Sequence, residues 1–138
     1  MADFNTQVIE EFRSNDGQVG GAFENASLLL LHHTGARSGQ ERVTPLVYLN
    51  DGDRYVVFAS KAGAPTHPAW YHNLLAHPET TIEVGHDTIA VNAHEATGAE
   101  RDRLYEAQVE RSPQFGDYQE KAGDRVIPVI VLEPRRDA

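Results

Sequence analysis

The stretch Arg42-Val43-Thr44-Pro45-Leu46-Val47-Tyr48-Leu49, Asn50-Asp51-Gly52-Asp53, Arg54-Tyr55-Val56-Val57-Phe58-Ala59-Ser60 decides the fold class. Two runs rich in β-branched and aromatic residues flank an Asp-Gly pair, which suits the positive φ of a tight hairpin turn. The stretch therefore reads as two antiparallel strands. A second hairpin is expected from Thr80–Val84 and Thr88–His94 around Gly85-His86-Asp87. Leu28–His33 is a short apolar run bounded by turn signals, hence a buried strand, with His32 and His33 on opposite faces. Val126–Leu132 is a last strand, with Pro128 marking an edge or an end.

Helices fill the remainder. Phe4, Val8, Ile9 and Phe12 recur at helical spacing, so residues 4–13 form an amphipathic helix, followed by a Gly-containing loop from Ser14 to Gly21. Thr66 is the expected cap of a helix with Pro68 in its first turn, running to Ala76 before Pro78. On it Trp70 and Leu74 share a face and pack on the sheet. Thr97-Gly98-Ala99-Glu100 has the form of a capping box, so a helix is expected from there to Arg111. Ser112–Tyr118 reads as an aromatic-bearing loop that lids a pocket or packs on it. About six strands and three or four helices result. The long βαβ alternation of a Rossmann sheet is missing, so the fold class is α+β, mainly antiparallel: a small barrel with outer helices.

The chain has 138 residues, enough for one domain spanning 1–138. No run of about 18 apolar residues exists, so no membrane span is expected. No secretory signal is visible at Met1–Asn5, and an intracellular, cytoplasmic location is the default expectation. With no cysteine, disulfides, zinc–thiolate sites, iron–sulfur clusters and thiol catalysis are excluded. A net charge of -9 argues against nucleic acid as partner and makes attachment to an anionic membrane unfavourable. Only two lysines occur, Lys61 and Lys121, which makes the location of each cation informative.

Three segments can carry chemistry. His33–Arg42 contains Gly35-Ala36-Arg37-Ser38-Gly39, where glycines let successive N–H groups face one anion and Arg37 and Arg42 add forked donors. Taken alone, such a loop is more often an ordinary turn. Ala59–Pro65 places Ser60 and Lys61 after a strand, and the hairpin brings them to the same end as Arg42. His67–Leu74 opens a helix whose free N–H groups suit an anion. The histidines show no metal-ligand spacing, no Gly-x-Ser-x-Gly elbow is present, and no metal is expected.

In order and register, Leu28–Leu31, Thr34–Gly39, Arg42–Leu46, Ser60–Gly63, His67–Leu74 and Arg125–Val129 resemble the deazaflavin (coenzyme F-420)-dependent nitroreductase family of actinobacteria, over residues 4 to 134. The resemblance implies a split β-barrel of the flavin-reductase, FMN-binding type. It implies contacts of Ala36, Arg37 and Ser38 with the cofactor's phosphate and polyglutamate tail, with Arg42, Val43, Thr44, Pro45, Leu46 and Val47 running along it. Phe58, Ala59, Ser60 and Lys61, with Ala69, Trp70, Tyr71, His72 and Asn73, would line its ring and ribityl portion. Phe115 and Tyr118 would close the substrate side. The family commonly has two basic residues in the first loop, and here the first is Ala36. Nitroimidazole-reducing members carry tyrosines where Ser112 and Phe115 align, so a quinone or enone is the implied small-molecule acceptor ahead of a nitro-type one. The expected reaction is hydride transfer from the reduced deazaflavin, with Ser60 or Tyr118 donating a hydrogen bond or proton to the acceptor oxygen. An FMN-dependent reductase on the same barrel and a non-catalytic deazaflavin carrier are the alternatives. The barrel's edges admit a homodimer.

Overall fold

A computed structural model describes residues 4–14, 28–59, 67–85, 87–123 and 126–135. The hairpin forms as expected: β2 (Glu41–Asp51) pairs antiparallel with β3 (Arg54–Phe58), with Asp51 opposite Arg54 and Gly52 at φ 65°. β1 (Leu28–Thr34) lies on the other side of β2, and β4 (Glu79–Val84) pairs with β5 (Asp87–Ala96). β6 (Val129–Pro134) joins β3 to β5, and β4 returns to β1, closing a six-stranded antiparallel barrel in the order β1-β2-β3-β6-β5-β4.

Strand alternation sorts the side chains into two layers. Leu29, Leu31, Val57, Ile82, Val91, Ile130 and Leu132 fill the barrel interior. The opposite parity builds two outer clusters. α1 (Phe4–Ser14) lays Val8 and Phe12 on Leu28 and Leu30, with Val43 and Val47 at the margin. α3 (Gly98–Arg111) and α4 (Gln114–Ala122) cover Val56, Phe58, Val129 and Val131. α2 (Ala69–Ala76) sends Trp70, Tyr71 and Leu74 into the interior cluster.

Some expectations are corrected. Residues 114–118 are helical, not a loop: Phe115, Tyr118 and Ala122 sit at helical spacing and bury one apolar face against Phe58 and Tyr105. The Tyr105 hydroxyl also donates to the Phe115 carbonyl. Thr97 is the N-cap residue of α3, but the side-chain bond of a capping box is not made, and Glu100 instead lies 3.5 Å from Arg54. Pro68 is the extended N-cap residue of α2 rather than part of its first turn, and its carbonyl accepts the Tyr71 N–H at 3.1 Å. Pro128 precedes β6, and its carbonyl takes the Ala59 N–H at 3.0 Å. The expected loop beyond Ser14, now the end of α1, and the Thr66 cap lie outside the described residues.

Candidate functional site

Between the β1–β2 loop and the start of α2 lies an open cleft of about 750 Å³, lined by Gly35, Ala36, Arg37, Ser38, Arg42, Ala69, His72 and Asn73. The loop holds its own shape. Gly35 N–H donates to the Gln40 carbonyl at 2.8 Å and Gly39 N–H to the Gly35 carbonyl at 3.0 Å, while Ser38 Oγ accepts the Gln40 N–H at 3.2 Å. A Cβ on Gly35 would run into Ser38 Oγ, so that glycine permits the close approach. Gly39 turns at φ 72°.

Four of the loop's amides are thus engaged, since Ala36 N–H donates to Asn73 Oδ1 at 2.9 Å. The amides of Arg37 and Ser38 have no partner among the described residues. The Arg37 and Arg42 side chains are exposed, and neither pairs with a described carboxylate. Two consecutive amides beside two guanidiniums, all without a partner among the described residues, suit an anion with several oxygens.

A polar seam supports the loop from behind. Asn73, 7% exposed, reaches His33 Nδ1 at 2.9 Å, and His33 Nε2 lies 2.9 Å from Thr44 Oγ1. His33 is only 3% exposed. Burial, with the nearby Arg42 and His32 charges, pushes its pKa down to about 4, so the ring is neutral at pH 7. On α2, Tyr71 donates to Glu95 at 2.6 Å. Burial, then that bond and charge, lift its pKa to about 12.

Of the residues singled out in the sequence, Ala36, Arg37, Ser38, Arg42, Ala69, His72 and Asn73 converge on this cleft. Others face elsewhere. Val43 and Val47 meet α1, Pro45 is buried opposite Leu30, and Thr44 serves His33. Leu46, Ala59, Trp70 and Tyr71 belong to the interior cluster. Phe58, Phe115 and Tyr118 stack in the cluster beneath α3 and α4, with Phe58–Phe115 centroids 5.7 Å apart and Phe115–Tyr118 5.1 Å. Ser60 and Lys61 lie outside the described residues, and the β2–β3 pairing, which runs from Tyr48–Val57 to Asp51–Arg54, does not extend to Arg42. Sequence reasoning placed His33 at the start of the first candidate segment but gave its side chain no role in the site. The available signal was its parity with Leu29 and Leu31, which turns it inward. Among the described residues no cluster of three metal-ligating side chains exists, and no helix is long and apolar enough to cross a membrane.

Residues 5–134 match the family described as F420H(2)-dependent quinone reductase. The chain belongs to that family. An F420H(2)-dependent quinone reductase of Mycobacterium tuberculosis (strain H37Rv) is 40% identical over 128 residues, spanning 90% of this chain and 85% of that one. A solved F420-H2 dependent reductase superposes with a TM-score of 0.71 at 37% identity, covering 78% of this chain and 94% of that one. A second structure, described as a domain-swapped dimer, gives 0.73 at 35% identity over 93% of both chains. The expected split-barrel fold is therefore the observed one, and the reductase depends on coenzyme F-420.

The donor set fits that cofactor. A phosphate and several carboxylates require what the cleft presents: amides and arginines without a partner among the described residues, and a hydroxyl, in an otherwise acidic chain. The groups that would hold the anionic end are Arg37, Ser38 and Arg42, beside the start of α2 at Ala69.

Proposed function

We propose that the cleft between the β1–β2 loop and α2 binds the phosphate-bearing end of reduced coenzyme F-420, and that this reductase uses it to reduce quinones. The observation that carries the assignment is the pairing of two amides, at Arg37 and Ser38, that no described residue engages with two arginines that no described carboxylate neutralises. When bound, the reduced deazaflavin supplies a hydride and a proton, which together convert a quinone to its hydroquinone. The chain's own part is to bind and orient. Arg37 and Arg42 neutralise the anionic tail, Ser38 adds a hydroxyl donor, and the Ala69 turn of α2 contributes its dipole. His72 and Asn73 form the adjoining wall. No side-chain nucleophile is required.

The narrower nitroreductase chemistry belongs to the same proposal, as do enone acceptors and the donor role of Ser60 and Tyr118. So do a cytoplasmic site of action and a homodimer, the latter supported by the dimeric relative at 35% identity. The test is a fluorescence titration of the purified protein with coenzyme F-420 and, in parallel, with FMN. Micromolar binding of the deazaflavin followed by turnover of a quinone is expected. No deazaflavin binding at that concentration overturns the assignment. Nitro compounds and enones complete the acceptor panel, and a Ser60→Ala/Tyr118→Phe double variant with unchanged turnover removes the donor role.

A further inference from the structure

The hydrogen bonds behind the cleft have only one consistent direction. The Ala36 backbone amide can only donate, so the Asn73 atom 2.9 Å from it is the carbonyl oxygen. The Asn73 NH₂ group must then face His33 Nδ1, also at 2.9 Å, and that nitrogen must accept. A neutral ring that accepts at Nδ1 carries its proton on Nε2, and this N–H donates to Thr44 Oγ1 at 2.9 Å. A backbone amide in a surface loop thereby fixes the tautomer of a buried histidine across α2, and the histidine fixes the amide in return.

We propose that His33 is a positioning residue of the cofactor site. As the Nε2–H tautomer it holds Asn73, and through Asn73 the Ala36 amide, in the arrangement that leaves the next two loop amides free for an anion. This rests on the proposed use of the cleft. The chain runs from β2 (Thr44) through β1 (His33) and α2 (Asn73) to the loop, so it ties together three elements and the segment bearing Arg37. His33 and Asn73 are nearly inaccessible to water, so a lost partner would not be replaced by solvent without rearrangement. Burial and the charges of Arg42 on β2 and His32 on β1 keep the ring unprotonated, which the acceptor role of Nδ1 demands. On α2, the facing group is the uncharged Asn73 amide.

The experiment uses the whole protein labelled with ¹⁵N. Long-range ¹H–¹⁵N spectra should show His33 as the Nε2–H tautomer, unchanged between pH 8 and pH 5. An Nδ1–H tautomer overturns the proposal. His33→Leu, which keeps the bulk but removes the acceptor, should lower the heteronuclear NOE of the Arg37 and Ser38 amides. It should also raise the Kd and the KM for reduced deazaflavin about tenfold, with kcat at saturating cofactor within twofold. His33→Gln, whose oxygen can accept from Asn73 and whose NH₂ can reach Thr44, should restore both readouts. Loop amides as ordered in His33→Leu as in the parent protein overturn the proposal even if the variant binds weakly. Should His33→Leu fail to fold, the tautomer and the behaviour of His33→Gln decide. Should the parent protein bind no deazaflavin, the functional reading fails, while the tautomer and the loop order still decide whether His33 positions the loop.

Discussion

Arg37 and Arg42 differ in what stands behind them. Arg37 projects from the loop itself, while Arg42 sits on β2, where its charge also acts on His33. Arg37→Ala should weaken cofactor binding about tenfold, the equivalent of ~1.4 kcal/mol for a charge-assisted contact to phosphate, and leave the His33 pKa in place. Arg42→Ala should weaken binding by a similar factor and in addition raise the His33 pKa from about 4. A fluorescence titration with an NMR pH titration separates the two, and equal binding by Arg37→Ala would reduce the loop to a turn. His33 also imposes a pH dependence on stability. In the unfolded chain it takes up a proton near pH 6.5, but in the folded chain only near pH 4. Between these values the unfolded state binds the extra proton, so stability falls as the pH drops from 6.5 toward 4, by on the order of 3 kcal/mol, and this contribution stops changing below. Urea unfolding at pH 7, 6, 5 and 4.5 should show that slope in the parent protein and lose it in His33→Gln. The same slope in both would place the burial cost elsewhere.

At the scale of elements, α3 and α4 show what patterning conveys and what it does not. The motif Thr97-Gly98-Ala99-Glu100 locates the start of α3, yet Gly98 at φ 59° and the pull of Arg54 on Glu100 leave the reciprocal cap unmade. Thr97→Ala should therefore cost less than about 0.5 kcal/mol, below the ~1 kcal/mol of a working cap. A thermal melt checks this, and a loss of the full amount would mean that the cap forms in solution. Phe115→Ala should cost about 3–4 kcal/mol, because a nearly buried ring wedged between Phe58, Tyr105 and Tyr118 leaves a cavity. Cofactor affinity of the folded fraction should stay within threefold, since Phe115 is not among the residues lining the cleft. α4 was missed because Pro113, Gly116 and Gly123 punctuate it like a loop, while its helical signal rests on Phe115, Tyr118 and Ala122 alone. The hairpins were legible because the turn at Gly52 needs only local chemistry. The role of His33 was not, because its partners lie 11 and 40 residues away.

For the whole molecule, the barrel's order was out of reach of local pattern. Three of its strand pairs, β3–β6, β5–β6 and β1–β4, join segments distant in sequence, and nothing within any strand says which neighbour closes the ring. The closure is also uneven. β1 pairs with β2 over seven residues and β4 with β5 over six, whereas among the described residues β1 meets β4 at only Leu30–Glu83 and Leu31–Ile82. Side chains make up part of the difference. Glu83 takes two bonds from Arg13 on α1, at 3.1 and 2.6 Å, and His32 on β1 lies 2.7 Å from the same carboxylate. The Thr80 hydroxyl adds a bond to the His32 carbonyl. Hydrogen bonds from Arg13 first, then His32, hold the Glu83 carboxyl below its usual pKa, so the folded chain favours the ionised carboxylate. With few backbone bonds and a partly exposed ionic stitch, this junction is where the ring should open at the lowest free energy. Native-state hydrogen exchange should show the one of the Ile82 and Glu83 amides that points across to β1 exchanging through a local opening, ahead of the β1–β2 amides. Glu83→Gln should lower protection at the junction about tenfold, equivalent to ~1.4 kcal/mol for a bidentate, half-buried contact, while β2–β3 amides follow only the smaller global change. The effect should also fade at pH values low enough to protonate Glu83, because the parent carboxyl then resembles the variant. Uniform protection around all six strands, or a variant whose loss is spread evenly, would show that the barrel opens as a single unit instead.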